Sequence, residues 1–319
     1  MDPITHTLAG ATMARSGLDR RTPLATAALL LGANAPDVDI VAAFAGPNAT
    51  LALRRGCSHG PLAMLALPFA VAGLLLVWDR WVRRRRAPGA APVEGTALLL
   101  LATVGVLSHP MLDWLNTYGI RLLMPFSNHW YRGNSLFIID PYLWLIFAIG
   151  LMVARRVRAG DATRAWRTVR VSGSAALVYI ALMIALSAAG ERVGRAAAES
   201  HGVGGIEEVL YSPRPANPMA ADLVLRTPGG YQLGALQWLA AERVTLADGM
   251  IPLGDWSAPV VARARTVEAA RNYLVWSQFP YVRIDVRGAD TSVFFGDARY
   301  RSGPAGDLGG FRVTPPRGR

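Results

Sequence analysis

Four apolar runs, Pro61 to Trp78, Gly95 to Leu112, Ile138 to Ala154 and Val171 to Gly190, leave few architectures open to this chain. Each has about 17 to 20 residues, the length at which an α-helix covers ~30 Å of hydrocarbon. Inside lipid every backbone N–H and C=O must be satisfied within the segment, so these runs are expected to be helices. The composition agrees, because 52% of the 319 residues are hydrophobic and only 17% are charged. Two shorter apolar pieces, Pro3 to Ala14 and Pro23 to Ala35, precede the long runs and are expected to be half-inserted or packed against them.

The basic residues set an orientation. All 33 are Arg, giving a formal charge of +11. They concentrate in "DRWVRRRR" (79 to 86) and "ARRVRAGDATRAWRTVR" (154 to 170), which follow the first and third long runs. The positive-inside rule makes both loops cytoplasmic, and Arg15, Arg20 and Arg21 fit the same side. The loops holding Asp37 to Gly60 and Trp114 to Phe137 then face outward, as does everything after Gly190. Trp114, Tyr118, Trp130 and Tyr131 stand where an interfacial aromatic belt is expected. All-Arg usage in an Ala- and Gly-rich chain gives little support for a nucleic-acid surface, and no nucleic-acid partner is expected. The single Cys57 excludes an internal disulfide. The start, "MDPITHTLAGATMA", lacks the basic n-region and long apolar core of a cleavable signal and is expected to be retained.

From about Glu191 the character changes to short β-like runs, "ADLVLRT", "YVRIDVRG" and "TSVFFGDARYR", separated by Gly and Pro. The fold class expected is therefore mainly α: a multi-span helical membrane domain over 1–190, a C-terminal extramembrane α+β domain over 191–310, placed in the periplasm, and a disordered tail over 311–319.

Chemistry is signalled by histidine. Four of the five, His6, His59, His109 and His129, fall in the first 130 residues, and the first three stand near carboxylates at one predicted face. In "SHPMLD" (108 to 113), His109 and Asp113 are four apart and project from one helix face. Ionisable groups in a span are costly and usually functional, although an interfacial pair that stabilises a helix end would read the same way. "NAPDVDI" (34 to 40) presents Asp37 and Asp39 two apart, as chelating carboxylates or as a helix cap with a solvated neighbour. "LRRGCSHG" (53 to 60) brings His59 to the outer start of a span beside Arg54 and Arg55. Mixed His and carboxylate ligands suit zinc first, with manganese or iron as alternatives, and disfavour calcium.

The ordered set "THTLAG", "PDVD", "RGCSH" and "SHPMLD" resembles the YdjM-like family of membrane-bound metal-dependent hydrolases of the bacterial inner membrane, thought to be distantly related to zinc-dependent phospholipase C. The resemblance covers roughly residues 1 to 150, and "WSQFPYVRI" and "FFGDARYR" are similar to the tails of longer members. It implies metal roles for His6, Asp37, Asp39, His59, His109 and Asp113. "SLFIIDP" (135 to 141) adds Asp140 as a candidate catalytic or supporting acid. One departure stands out: the family usually carries His-Arg-Gly where this chain has Arg54-Arg55-Gly56. His129 and His201 match no family motif and are expected to be structural.

The expected activity is hydrolysis of a small or lipid-linked phosphoester at the outer membrane face. Asp39 or Asp140 would accept a proton, and Arg55 would offer charge to an anionic substrate. Membrane lipids are the expected surroundings, and the sequence does not fix an oligomeric state. A metal-stabilised anchor or assembly protein is the alternative. A transporter fits less well, since its ionisable residues would gather near the midplane on related halves.

Overall fold

A computed structural model of the chain describes residues 1–157, 160–287, 290–301 and 310–314. The helical part begins with α1 (Pro3–Arg15), which starts where its chemistry allows: Asp2 caps it by accepting from the Ile4 and Thr5 N–H groups at 2.9 and 3.1 Å, and Pro3 occupies the first turn. Then follow α2 (Ala25–Asn34), α3 (Pro47–Leu53), α4 (Pro61–Trp78), a wide π turn (Asp79–Arg83) with a last turn α5 (Arg84–Arg86), α6 (Gly95–Trp114), α7 (Pro141–Val157) and α8 (Ala162–Ser200).

Four helical segments are long and apolar enough to cross a membrane: Ala25–Ala45, Pro61–Arg86, Gly95–Trp114 and Ala162–Ser200. One member differs from the sequence expectation. The piece beginning near Pro23, expected to stop by Ala35, continues from α2 through a 3-10 stretch, Ala35–Ala45. Pro36 removes a helix donor but fits the tighter winding. α7 has 17 residues and is the shorter companion of these four.

By its contacts the chain divides into two units, one comprising Met1–Ile40 and Arg55–Ile184, the other Val41–Arg54 and Ala185–Arg319. In the first unit a core of Ala14, Ala28, Leu29, Ala72, Leu98 and Ala102 ties α1, α2, α4 and α6 together. Small residues matter here, because lipid offers no hydrophobic drive between helices and close backbone packing must supply the attraction. Gly32 of α2 and Gly105 of α6 face one another: a Cβ on Gly105 would stand 2.8 Å from the Leu29 carbonyl oxygen, and one on Gly32 would stand 2.8 Å from that of Ala102.

The second unit is α+β. An antiparallel sheet runs in the order β1 (Glu208–Arg214), β2 (Asn217–Thr227), β3 (Gly230–Gln237), β4 (Val244–Pro252), and a second sheet pairs β5 (Pro280–Arg287), β6 (Asp290–Asp297) and β7 (Phe311–Val313). Two short helices, α9 (Pro259–Arg265) and α10 (Glu268–Trp276), lie between them in sequence. Alternation sorts the first sheet's side chains: Val209, Tyr211, Leu223 and Leu225 pack with Ala198 of α8, while Leu210 and Val224 pack with Tyr281 and Phe294 of the second sheet and with Phe279 just before it. Asp297 pins the strand ends. Burial would push its carboxyl up, but the Arg299 guanidinium, 2.9 Å away, and hydrogen bonds from Arg299 and Ser277 hold it below the usual carboxylate range.

Two boundaries depart from the sequence reading. Phe311–Val313, expected within a disordered tail, pairs with β6, opposite Phe295 to Val293, because its apolar residues alternate; residues 315–319 of that tail lie outside the described residues. Val41–Arg54, expected within the membrane domain, groups with the second unit because α3 packs on α10, and a seven-residue helix is not stable alone.

Gly105→Leu should force α2 and α6 apart. The substitution overpacks a backbone-to-backbone contact, which typically costs about 1–3 kcal/mol, so a thermal melt of the purified chain in detergent should fall by several degrees, with Gly73→Leu, where a side chain meets open space, as the neutral comparison.

Candidate metal centre

The Gly32–Gly105 approach places the last turn of α2 beside the middle of α6, and this fixes the first ligand candidate. His109 Nδ1 lies 2.7 Å from the Ala33 carbonyl oxygen. A carbonyl only accepts, so Nδ1 carries the proton and the Nε2 lone pair points inward. His59 is held in the same sense from another element. Its Nδ1 stands 2.9 Å from Ser58 Oγ and 3.5 Å from Asp39 Oδ2, which orients Nε2 toward His109.

The two Nε2 atoms are 3.1 Å apart. Asp113 Oδ2 lies 3.4 Å from the first and 3.5 Å from the second. His6 completes the arrangement, stacked on His109 with centroids 3.7 Å apart and its Nε2 3.3 Å from Asp113 Oδ1. His6, His59, His109 and Asp113 are all fully buried, and neither His6 nitrogen has a hydrogen-bond partner among the described residues. Asp37, partly open, approaches His109 Nε2 at 3.8 Å through Oδ1.

These groups could hold a metal ion in two overlapping sets, His6–His109–Asp113 and Asp37–His59–His109. Fit can be tested on spacing. Two ligand atoms each ~2.1 Å from one ion stand ~3.0 to 3.4 Å apart for octahedral and tetrahedral angles, the range in which most of these separations fall. Inward lone pairs and a carboxylate oxygen at such distances repel unless a cation or proton lies among them, and a buried histidine with two unsatisfied nitrogens is costly. The donor set fits a divalent ion.

Arg55 has a different place from the one expected. It is 2% exposed, and its backbone sits in the left-handed region at φ 50°, a strained conformation for a residue with a side chain. Nε is 3.1 Å from Asp113 Oδ2, Nη1 donates to Asn116 Oδ1 and to the Gly119 carbonyl at 3.0 Å each, and Nη2 donates to the Met1 carbonyl at 3.3 Å. Its own N–H donates to Asp39 Oδ2 at 2.6 Å. Arg55 therefore ties Asp113 and Asp39 into one scaffold. The Met1 amine also lies against Asp113 Oδ1.

Asp39 stands behind His59 and belongs to neither metal-holding set. Asp140, expected as a catalytic or supporting acid, caps α7: Oδ1 accepts from the Tyr142 and Leu143 N–H groups, and Oδ2 accepts from Tyr179 Oη at 3.0 Å. It too is absent from both sets. Exposed His129 packs edge-on against Tyr131, and exposed His201 faces the Ala197 carbonyl; neither joins a metal-holding set. Arg54, standing where the resemblance leads one to expect histidine, joins no metal-holding set.

Sequence reasoning passed over Ser58 and Asn116. Ser58 Oγ bridges His59 and Asp39, and Asn116 Oδ1 accepts from Arg55 and from the Tyr118 and Gly119 N–H groups. Asn116, three residues past Asp113, carried only a faint signal; a polar side chain just beyond a span has many uses.

The YdjM inner membrane protein family matches residues 1–192, more than half of the chain and every residue of the centre. The chain belongs to that family. No curated protein and no solved structure matches it. Family and candidate spans together make it a multi-pass membrane protein of the inner-membrane type.

His109→Ala and Asp113→Asn should each remove bound metal from the purified chain, since each deletes one ligand from a shared set. Ser58→Ala, which loosens His59 from behind, should weaken metal binding about 10- to 100-fold. His129→Ala should leave metal content unchanged. Elemental analysis of the four variants, each checked by thermal melt, measures all of this.

Proposed function

We propose that this YdjM family member is a membrane-bound metal-dependent hydrolase acting on a phosphoester, small or lipid-linked, at the outer face of the membrane. The observation that carries the reading is the pair of imidazole Nε2 atoms of His59 and His109, 3.1 Å apart and both oriented inward by hydrogen bonds on their far sides. Zinc suits this His-rich set best, with manganese or iron as alternatives.

When bound, such an ion supplies a water of lowered pKa and polarises a phosphoryl oxygen. The chain's own residues do the rest. Asp39 and the Ala33 carbonyl fix the two ring tautomers, and Arg55 holds Asp113 in one rotamer while balancing its charge. Asp37 is the carboxylate with a route outward, its side chain 13% exposed against 1% for Asp113, and is assigned the proton-accepting role first expected of Asp39 or Asp140. The placement of the site on apolar spans supports a lipid-linked substrate.

A second reading draws on the Arg55–Asp113 ion pair. A buried carboxylate already neutralised by a guanidinium can serve as a fixed strut, so a metal-stabilised anchor without turnover is the competing function. The ionisable groups gather around one end of the helices instead of lining a path, which speaks against a transporter.

Two measurements decide. Turnover of a phosphodiester ester and of phospholipid by the purified chain should require added metal and should fall at least about 100-fold in His109→Ala and Asp113→Asn. Metal held by the wild type without any turnover would favour the anchor. For orientation, a reporter active only in the periplasm should give signal when fused after Arg319 and none when fused after Arg86; the reverse pattern would move the site to the cytoplasm.

A further inference from the structure

A cavity lies toward the other end of the same helices. α1 runs from His6 at the metal centre to Arg15, about 13 Å along the axis at ~1.5 Å per residue. α7 runs from its Asp140 cap to Arg155, and Trp166 lies near the start of α8, well before Tyr179, whose hydroxyl reaches that cap. Between these arginine-bearing ends and α2 is a cavity of about 420 Å³. Its walls include Leu30, Leu151 and Trp166, with Thr26 as an uncharged polar group, and Arg15 and Arg155 stand in its lining.

The charged side chains that line it are of one sign. Among the described residues, no Asp or Glu lines the cavity. Arg155 has no carboxylate partner among the described residues, while Arg15 makes one exposed ion pair, to Asp19 at 3.1 Å. Two further guanidiniums bear on the same neighbourhood: Arg20 lies 4.4 Å over the Trp166 ring, and Arg170 donates to the Ser16 carbonyl at 2.8 Å. The lining is thus apolar apart from Thr26 and two arginines, and this describes a receptor for an anionic amphiphile. A free phosphate would gain only two exposed arginines, which water and salt screen, and would leave the apolar wall unused. A neutral lipid would use the wall and offer the two lining arginines no counter-charge.

We propose that this cavity is a binding site for an anionic phospholipid, with Arg15 and Arg155 holding the phosphate and Leu30, Leu151 and Trp166 receiving the first part of an acyl chain. Basic pockets between helices at the arginine-rich face of a membrane protein suit such headgroups, and the volume falls in the range of ligand sites. The rest of the lipid stays in the bilayer. This site is independent of the hydrolase reading, since its residues are distinct from every metal candidate.

The test uses the full-length chain purified in maltoside detergent and titrated with phosphatidylglycerol, phosphatidylcholine, glycerol phosphate or inorganic phosphate. Lipid retention is read by native mass spectrometry and stabilisation by thermal melt. Phosphatidylglycerol should be retained and raise the melt, and the other three should not. Arg15→Gln/Arg155→Gln should weaken phosphatidylglycerol at least about tenfold, the loss expected for charge-assisted contacts at a partly open site, without changing the lipid-free melt or the metal content. Arg80→Gln/Arg86→Gln, in the exposed basic run after α4, should keep full affinity. Equal retention of phosphatidylcholine, equal stabilisation by glycerol phosphate or inorganic phosphate, unchanged affinity in the Arg15/Arg155 variant, or equal weakening by the Arg80/Arg86 variant would each overturn the assignment.

Discussion

The contact on which the rest of the membrane unit depends is the one between two backbones without side chains, Gly32 of α2 against Gly105 of α6. Lipid tails are as apolar as leucine, so helices gain little by burying leucine against each other. They gain by approaching closely, and here a Cβ on either glycine would stand 2.8 Å from a carbonyl oxygen of the other helix. One residue beyond Gly32 is Ala33, and one helical turn beyond Gly105 is His109. Because the backbones touch, the Ala33 carbonyl is near enough to take the His109 Nδ1 proton. The tautomer of the central ligand candidate is thus a result of helix packing.

The same logic runs through the other ligand candidates. Each is gripped from behind by a group from another stretch of chain: His59 by Asp39, Asp113 by Arg55, and His6 by its stack on His109. Polar atoms held this way lose little freedom when a ligand arrives, and a buried cluster of lone pairs is kept from collapsing onto itself. The cost is local strain, seen in Arg55 at φ 50°. That strain coincides with the residue that joins the two carboxylates, which is where the surrounding bonds are numerous enough to enforce it.

Much of this was legible in the sequence, for identifiable reasons. Span length and arginine clusters are one-dimensional signals that give the mainly helical membrane part, and alternating β-like runs broken by Gly and Pro give the C-terminal sheet domain. His109 and Asp113 were legible because a four-residue spacing on a helix fixes their common face. His6, His59 and Asp37 could be grouped with them, but their meeting depends on three further segments whose packing the sequence does not encode locally. The positions of Arg55, Asp39 and Asp140, outside both metal-holding sets, were not legible for one shared reason. A charged residue near a site reads as reactive until its partners are known, and here many of the partners, the Met1 and Gly119 carbonyls and Asn116 for Arg55 and the Tyr142 and Leu143 amides and Tyr179 for Asp140, carry no motif. The 3-10 continuation to Ala45 and the pairing of Phe311–Val313 were hidden because Pro36 and a Gly-rich neighbourhood signal breaks, and tertiary packing overrode them.

The chain's exclusive use of arginine has a consequence at one position that composition alone would not suggest. Arg55 spends Nε, Nη1 and Nη2 on four acceptors lying in different directions: a carboxylate, a carboxamide and two peptide carbonyls. A planar fork with five N–H groups can serve such a fan-shaped set; an ammonium, with three donors radiating from one atom, cannot. Guanidinium also stays protonated at every pH a cell meets, so the counter-charge of Asp113 is permanent. The pocket therefore has a built-in fixed cation, and any ion that enters must be accommodated by the lone pairs that remain.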